Sequence, residues 1–185
     1  MAERREEPGI LRGSIAELVA TALFVFLGAG SAVVATGVVD KGLTTPGMVS
    51  IAFAHGLAIA LLVAAIGRAS GGHINPAVTV AAYATGKMGP LRLGFYLVAQ
   101  LVGAIIGALL LKAVAPPQAF EAARGGAHQL SIGLGPGFVA EIVLTFALVF
   151  VVFATAFDPK GPGTIAPLAI GLVVLVDNLV GLPLT

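Results

Sequence analysis

The 185-residue sequence contains no cysteine and no tryptophan, and only 10% of its residues are charged. The absence of cysteine excludes a disulfide framework, a thiolate nucleophile and a cysteine-ligated metal site. The low charge argues against an ordinary soluble domain, in which about 25% of residues are charged. A net charge of +1 does not indicate a nucleic-acid partner. Hydrophobic residues make up 58% of the chain, and this composition predicts an integral membrane protein in a lipid bilayer.

Uncharged, apolar stretches recur at intervals that suit several membrane-spanning helices. A helix needs about 20 predominantly apolar residues to cross the hydrocarbon core. We predict five spans, near residues 14–36, 49–66, 91–111, 136–157 and 164–182. Residues 1–13 are predicted to be a cytoplasmic tail. The start of the chain lacks the basic region and cleavage site of a secretory signal, so the first span is expected to be retained.

A polar, glycine-rich break lies between the second and third spans, at residues 71–79. The sequence Asn75-Pro76-Ala77 is typical of a helix start, because asparagine caps helices well and proline suits their first position. The apolar stretch stops before Gly86, and about ten residues at 1.5 Å each cannot cross a core of about 30 Å. We therefore predict a re-entrant half-helix whose positive end points into the membrane. Irregular backbone at that depth must be buried in protein or line a watery cavity.

Basic residues predict the orientation, because cytoplasmic loops are enriched in lysine and arginine. With the N-terminus inside, seven basic residues lie on the cytoplasmic side and three on the other side. The first group is Arg4, Arg5, Arg12, Arg68, Lys87, Arg92 and Lys160, and the second is Lys41, Lys112 and Arg124. This distribution predicts a cytoplasmic N-terminus. We also expect the protein to lie in a plasma or inner membrane.

An internal repeat links the first and fourth spans. Ala16-Glu17-Leu18-Val19-Ala20-Thr21 resembles Ala140-Glu141-Ile142-Val143-Leu144-Thr145, 124 residues later. Three spans separate the two copies, so the second copy is predicted to cross the membrane in the opposite direction. Inverted repeats with broken helices recur among membrane transport proteins. Two unrelated apolar helices are the alternative interpretation.

These motifs resemble those of the aquaporins and aquaglyceroporins, the major intrinsic protein family. The resemblance rests on residues 71–79, on the two repeated openings, and on residues 96–104 and 166–171. It implies a fold of six tilted helices and two half-helices, a homotetramer, and one pore in each subunit. The implied function is passive conduction of water and of small neutral solutes such as glycerol, with no enzymatic activity and no cofactor.

The sequence departs from the family pattern at its end. Gly56 in the second span matches Gly171 in the fifth, so a counterpart of Asn75 is expected near position 190, beyond Thr185. We therefore expect an all-α, aquaporin-like channel domain over residues 14–185, with five spans and one half-helix, truncated before a second Asn-Pro-Ala motif. Its first repeat covers about 14–112 and its partial second repeat about 136–185. A subunit that assembles but forms no complete pore is the alternative function.

Three side chains are expected to line the pore with the Asn75-Pro76-Ala77 motif. Asn75 is predicted to donate hydrogen bonds to water, although a simple helix cap is the alternative. His55 lies 20 residues before Asn75, at the family's second-helix constriction position, with helix packing as its alternative. By the same resemblance Asn178 occupies the fifth-helix constriction position. His73 is interpreted as a loop-stabilising or cytoplasmic-mouth residue.

Polar residues inside the spans are costly unless they are hydrogen-bonded. The resemblance implies that Glu17 and Glu141 accept hydrogen bonds from re-entrant loops, although Glu17 has an interfacial position as its alternative. The loop for Glu141 would lie beyond the end of the sequence, so that carboxylate is expected to be short of partners. Thr21 and Thr145 follow the glutamates by four residues and are expected to assist by hydrogen bonding. Gln100 is a further structural polar residue.

One acid in the fifth span, Asp177, is expected to pack between helices or to anchor a loop, with a pore-lining position as the alternative. The three histidines are scattered in sequence and predict no metal site. A secondary transporter also shows inverted repeats, but it needs coupling groups, and the spans offer few. A channel is therefore the better interpretation.

Overall fold

The computed structural model describes residues 9–40 and 42–185. In this part of the chain there are seven α-helices and no strands, which confirms the predicted all-α class. They are α1 (Ile10–Val33), α2 (Thr45–Ser70), α3 (Pro76–Ala84), α4 (Pro90–Val114), α5 (Pro117–Ala122), α6 (Leu134–Val152) and α7 (Ala166–Gly181). Two π-helical segments, Val34–Val39 and Phe153–Phe157, continue α1 and α6, and short 3₁₀ turns lie at Arg124–Gly126 and Gly163–Ile165.

Five helices are long and apolar enough to cross a membrane, as the sequence predicts. They cover Ile10–Val39, Thr45–Ser70, Pro90–Val114, Leu134–Phe157 and Gly163–Gly181. The helix α1 begins at Ile10, four residues before the predicted start of the first span, and the N–H group of Gly13 donates to the carbonyl of Gly9 at 3.0 Å. Residues 1–8 of the predicted cytoplasmic tail lie outside the described residues.

Helix starts follow local capping chemistry. Proline occupies the first turn of α2, α3, α4 and α7, where its missing N–H group would have had no partner. At α2 the hydroxyl of Thr44 also accepts the N–H group of Gly47 at 3.1 Å. These signals place the short helix α3 directly after the glycine-rich break.

Small residues allow the helices to approach closely. The helix α1 packs against α4 and α2, while α7 packs against α2 and α6. On α4, a Cβ atom at Gly103 or Gly107 would collide with the backbone carbonyls of Leu18 or Ala22 on α1. Close backbone contact at small residues is typical of helix packing in membranes.

Large apolar side chains point outward from the bundle, whereas several of the most buried side chains are polar. Leu61 and Phe138 are each 70% exposed, but Glu17 and Thr79 are completely buried. This distribution fits a protein whose surroundings are lipid, and it directs attention to the buried polar residues beside α3.

Candidate functional site

The break between α2 and α3 is a re-entrant loop that turns the chain back sharply. Gly71, Gly72 and Ile74 all have positive φ angles, of 99°, 69° and 53°. Glycine adopts this region freely, whereas a β-branched residue such as isoleucine does so only when its surroundings hold it there. A Cβ atom at Gly72 would also lie 3.2 Å from the Cγ1 atom of Val63. The conformation of the loop is therefore imposed by tertiary contacts.

Asn75 both caps α3 and keeps a hydrogen-bond donor free. Its Oδ1 atom accepts the N–H group of Ala77 at 2.8 Å, which confirms the predicted cap. This contact fixes the orientation of the amide, because only the oxygen can accept a hydrogen bond. The Nδ2 group then has no partner among the described residues and is available to a molecule in front of α3.

Glu17 accepts four hydrogen bonds, two of which come from N–H groups of the re-entrant loop. Its Oε1 accepts the hydroxyl of Ser70 at 2.6 Å and the N–H group of His73 at 2.9 Å. Its Oε2 accepts the N–H group of Ile74 at 2.6 Å and the Nε2 group of Gln100 at 2.9 Å. Glu17 and Gln100 are both buried, so these donors replace the water that a carboxylate would otherwise need. Glu17 is therefore not an interfacial residue.

Neighbouring polar groups extend this network. Gln100 also donates to the hydroxyl of Thr79 at 2.9 Å, and the hydroxyl of Tyr96 donates to the carbonyl of Ser70 at 2.8 Å. The sequence interpretation did not assign roles to Ser70, Thr79 or Tyr96. The sequence offers a signal for Tyr96, which lies four residues before Gln100 and therefore on the same helix face. Because polar residues in membrane spans face the interior of the bundle, this spacing predicts that both side chains do so.

His73 lies inside the loop rather than at its surface. Its Nδ1 atom is 3.1 Å from the hydroxyl oxygen of Thr79, which in turn donates to the carbonyl of Asn75 at 3.1 Å. The Nδ1–H group is therefore assigned as the donor. The edge of the ring meets Tyr96 and Phe157, with centroid separations of 5.5 and 5.9 Å. These contacts place His73 as a support of the loop.

The predicted role of the threonine after Glu17 is wrong. The hydroxyl of Thr21 is buried and has no hydrogen-bond partner in the described part of the chain, because the carboxylate of Glu17 turns toward the loop donors. In the repeat-related positions, Glu141 and Thr145 are exposed side chains that line a cavity. Neither has a hydrogen-bond partner among the residues described.

That cavity has a volume of about 260 Å³ and collects most of the predicted pore residues. Polar residues in its wall are His55, His73, Asn75, His128, Glu141, Thr145, Asp177, Asn178 and Thr185. Pro76 and Ala77 are not in the wall, because they form the first turn of α3 behind Asn75. The sequence did not predict His128 as a cavity residue, because it lies in the segment after α5, which has no periodic pattern.

His55 packs on α1 and also lines the cavity. Its Nδ1 atom lies 2.9 Å from the carbonyl oxygen of Ile51, so Nδ1 carries the proton that forms this bond. The ring meets the edge of Phe24 at a centroid separation of 5.6 Å, and a Cβ atom at Gly28 would lie 2.7 Å from Nε2. Gly28 therefore provides the room in which the imidazole sits beside the cavity.

The α7 side of the cavity carries Asp177 and Asn178. The Nδ2 group of Asn178 donates to the carbonyl of Val174 at 2.8 Å, which leaves its Oδ1 as an acceptor. Asp177 lines the cavity and has no hydrogen-bond partner among the described residues, which favours the alternative of a pore-facing acid over helix packing or loop anchoring.

Comparisons with known proteins agree with this architecture. Residues 4–185 match the sequence profile described as "Major intrinsic protein". The chain is 45% identical over 178 residues to Aquaporin TIP2-1 of Arabidopsis thaliana and 41% identical over 179 residues to a probable TIP-type aquaporin of Medicago truncatula. Each alignment covers 94% of this chain and 69% of the relative.

A solved structure, the aquaglyceroporin from Plasmodium falciparum, has the same fold. The TM-score is 0.74 at 24% sequence identity, and the match covers 93% of this chain and 71% of the other. The family profile covers nearly the whole sequence, and the fold and the re-entrant loop agree with it. The chain therefore belongs to the major intrinsic protein family, whose members are passive membrane channels for water and small neutral solutes rather than enzymes.

Proposed function

We propose that the cavity in front of α3 is part of the conduction path and that Asn75 donates hydrogen bonds to passing water. The observation that carries this proposal is the orientation of the Asn75 amide, whose oxygen is bound to the N–H group of Ala77. The NH₂ group is thereby left for the cavity at the positive end of α3. A fixed donor beside a helix N-terminus favours water and neutral solutes, and it opposes protons and cations.

His55 and Asn178 are proposed as the constriction residues of this path. Both side chains line the same cavity, and each is anchored by a hydrogen bond to the carbonyl one turn earlier in its helix. Anchored side chains present a defined set of polar atoms to a solute, which is what selection by size and hydrogen bonding needs. Glu17 is proposed to position the loop by accepting the N–H groups of His73 and Ile74, and His73 is proposed to do so through its contact with Thr79 of α3.

A flux measurement tests the conduction path. The full chain is reconstituted in liposomes, and osmotic shrinkage is followed by stopped-flow light scattering. We expect faster shrinkage than in empty liposomes, with a rate independent of any ion gradient. Shrinkage at the rate of empty liposomes overturns the proposal, and a rate that depends on an ion gradient indicates a coupled transporter.

The N-terminus is proposed to lie in the cytoplasm, with the protein in a plasma or inner membrane. The orientation is supported by the excess of basic residues on one side of the spans, which includes Lys160. The chain has no cysteine, so single cysteines can report the topology. Lys160→Cys should react with a membrane-impermeant maleimide only after cells are opened, whereas Arg124→Cys should react in intact cells. The reverse pattern overturns the orientation.

We also propose a homotetramer, as the family resemblance implies. Support comes from the large apolar side chains that face outward on all five spans, because such faces can pack against lipid or against other subunits. Native mass spectrometry of the detergent-solubilised chain should show four copies. A monomer under conditions in which the protein retains its helical circular dichroism contradicts the assembly.

A further inference from the structure

A separate groove lies between the end of α1 and the start of α2, at the opposite end of α2 from the re-entrant loop. This α1–α2 groove has a volume of about 230 Å³. The first span ends at Val39 and α2 begins at Thr45, so the groove lies where both helices pass from the hydrocarbon core to the headgroup region. Its apolar wall is formed by Val34, Ala35, Val39 and Pro46, and its polar wall by Ser31, Asp40 and Ser50.

The two serines of the polar wall present hydrogen-bond acceptors to the groove. The hydroxyl of Ser31 donates to the carbonyl of Gly28 at 2.6 Å, and the hydroxyl of Ser50 donates to the carbonyl of Pro46 at 3.0 Å. Each hydroxyl has one hydrogen, which is used in these bonds, whereas its oxygen can still accept. A ligand that brings its own donors therefore fits this wall.

Asp40 adds a negative charge beside the apolar wall. Its Oδ2 atom accepts the hydroxyl of Thr44 at 2.7 Å, while Oδ1 has no hydrogen-bond partner among the described residues. A Cβ atom at Gly47 would lie 3.7 Å both from Oδ2 and from the Cβ atom of Ala35, so the carboxylate lies next to apolar surface. The groove thus combines a charged acceptor with a surface for hydrocarbon.

We propose that the α1–α2 groove binds phosphatidylethanolamine, with the headgroup ammonium at Asp40 and part of an acyl chain along Val34 and Val39. A primary ammonium has three N–H donors and no acceptor, so it complements a wall of acceptors that carries one negative charge. Val34 and Val39 are 51% and 72% exposed, and an acyl chain can therefore reach them from the bilayer. The site is independent of the proposed conduction path.

Phosphatidylcholine with the same acyl chains is the matched probe, because its trimethylammonium group has the same charge but no N–H donor. Native mass spectrometry of the full chain in detergent measures the occupancy of each lipid during titration. We expect phosphatidylethanolamine to bind at least about fivefold more tightly, which corresponds to roughly 1 kcal/mol. Contacts to the phosphate are common to both lipids and cancel in the ratio. Equal binding of the two lipids overturns the proposal.

Substitutions in the polar wall locate the preference. Asp40→Asn keeps an oxygen for the hydroxyl of Thr44 but removes the charge, so the preference should fall close to one. Ser50→Ala removes one acceptor and should lower the preference in part, whereas Asp40→Glu should retain it. Glu121→Gln is the control, because Glu121 is an exposed acid on α5 outside the groove. Circular dichroism identifies any variant that is unfolded.

Two results would contradict this location. A wild-type preference in folded Asp40→Asn and Ser50→Ala variants places the ethanolamine lipid elsewhere on the protein. A lipid that binds the monomer but is lost from higher oligomers shows that another copy of the chain covers the groove, and this also overturns the proposal. Retention of the lipid in every oligomer, with its preference abolished by Asp40→Asn, supports the site.

Discussion

Gly56 of α2 and Gly171 of α7 lie against each other, and a Cβ atom on either would collide with the carbonyl oxygen of the other. The contact is reciprocal, as it is where equivalent residues meet across a two-fold axis. Gly56 and Gly171 are also the glycines that correspond to each other when the second and fifth spans are aligned. Their contact therefore supports an inverted repeat whose pseudo-two-fold axis passes between α2 and α7.

The close approach at this crossing predicts a large effect of one added methyl group. Gly56→Ala should lower the free energy of unfolding by about 1–3 kcal/mol, because the Cβ atom meets backbone and Leu175 and can be accommodated only by a helix shift. Gly67→Ala on the same helix has open space around it and should be neutral or stabilising by up to about 1 kcal/mol. Thermal unfolding in detergent compares the two variants, and equal midpoints contradict the prediction.

The spans and the half-helix could be predicted because they depend on local rules. Long apolar stretches reveal the five spans, and the order asparagine, proline, alanine reveals the start of α3. The contacts within the site are less accessible, because they join residues far apart in sequence. Glu17 and Gln100, for example, are 83 positions apart but share a hydrogen bond of 2.9 Å.

Departures from the predictions have the same origin. Thr21 has the spacing for a hydrogen bond with Glu17, but the orientation of that carboxylate is set by N–H groups of the loop. Asp177 was expected to pack between helices, and only the rotation of α7 about its axis shows that it lines the cavity. Periodicity predicts which helix face a residue occupies, but it does not predict which partner that face meets.

The two glutamates of the repeat should respond differently to neutralisation. Glu17→Gln replaces an acceptor by an NH₂ group that faces N–H donors, so we expect a loss of about 2–4 kcal/mol of stability, since hydrogen bonds to charged groups contribute about 1.5–3 kcal/mol each. Glu141→Gln is the matched control, because Glu141 is exposed and has no partner among the described residues. Its effect should stay within about 0.5 kcal/mol. Unfolding midpoints in detergent test both, and a larger loss for Glu141→Gln contradicts the network.

The width of the cavity beside His55 can be changed in both directions. His55→Ala removes an imidazole from the wall and should raise the ratio of glycerol to water permeability. Gly28→Ala should do the opposite, because its Cβ atom would lie 2.7 Å from Nε2 and would push the ring toward the cavity. Stopped-flow light scattering with glycerol and with an impermeant osmolyte measures both ratios. If neither ratio changes, His55 does not limit the path.

The two functions of the Asn75 side chain can be separated by a single substitution. Asn75→Asp keeps an oxygen that accepts the N–H group of Ala77, and a negative charge at a helix N-terminus is favourable by about 0.3–1 kcal/mol. Stability should therefore be unchanged or slightly higher. The donor is lost, however, and the carboxylate offsets the positive end of α3, so water permeability should fall and cations should be less strongly excluded. Unfolding midpoints, water flux and a sodium-flux assay in liposomes test this combination. Unaltered flux and cation exclusion in a stable Asn75→Asp variant would show that Asn75 serves only as a helix cap.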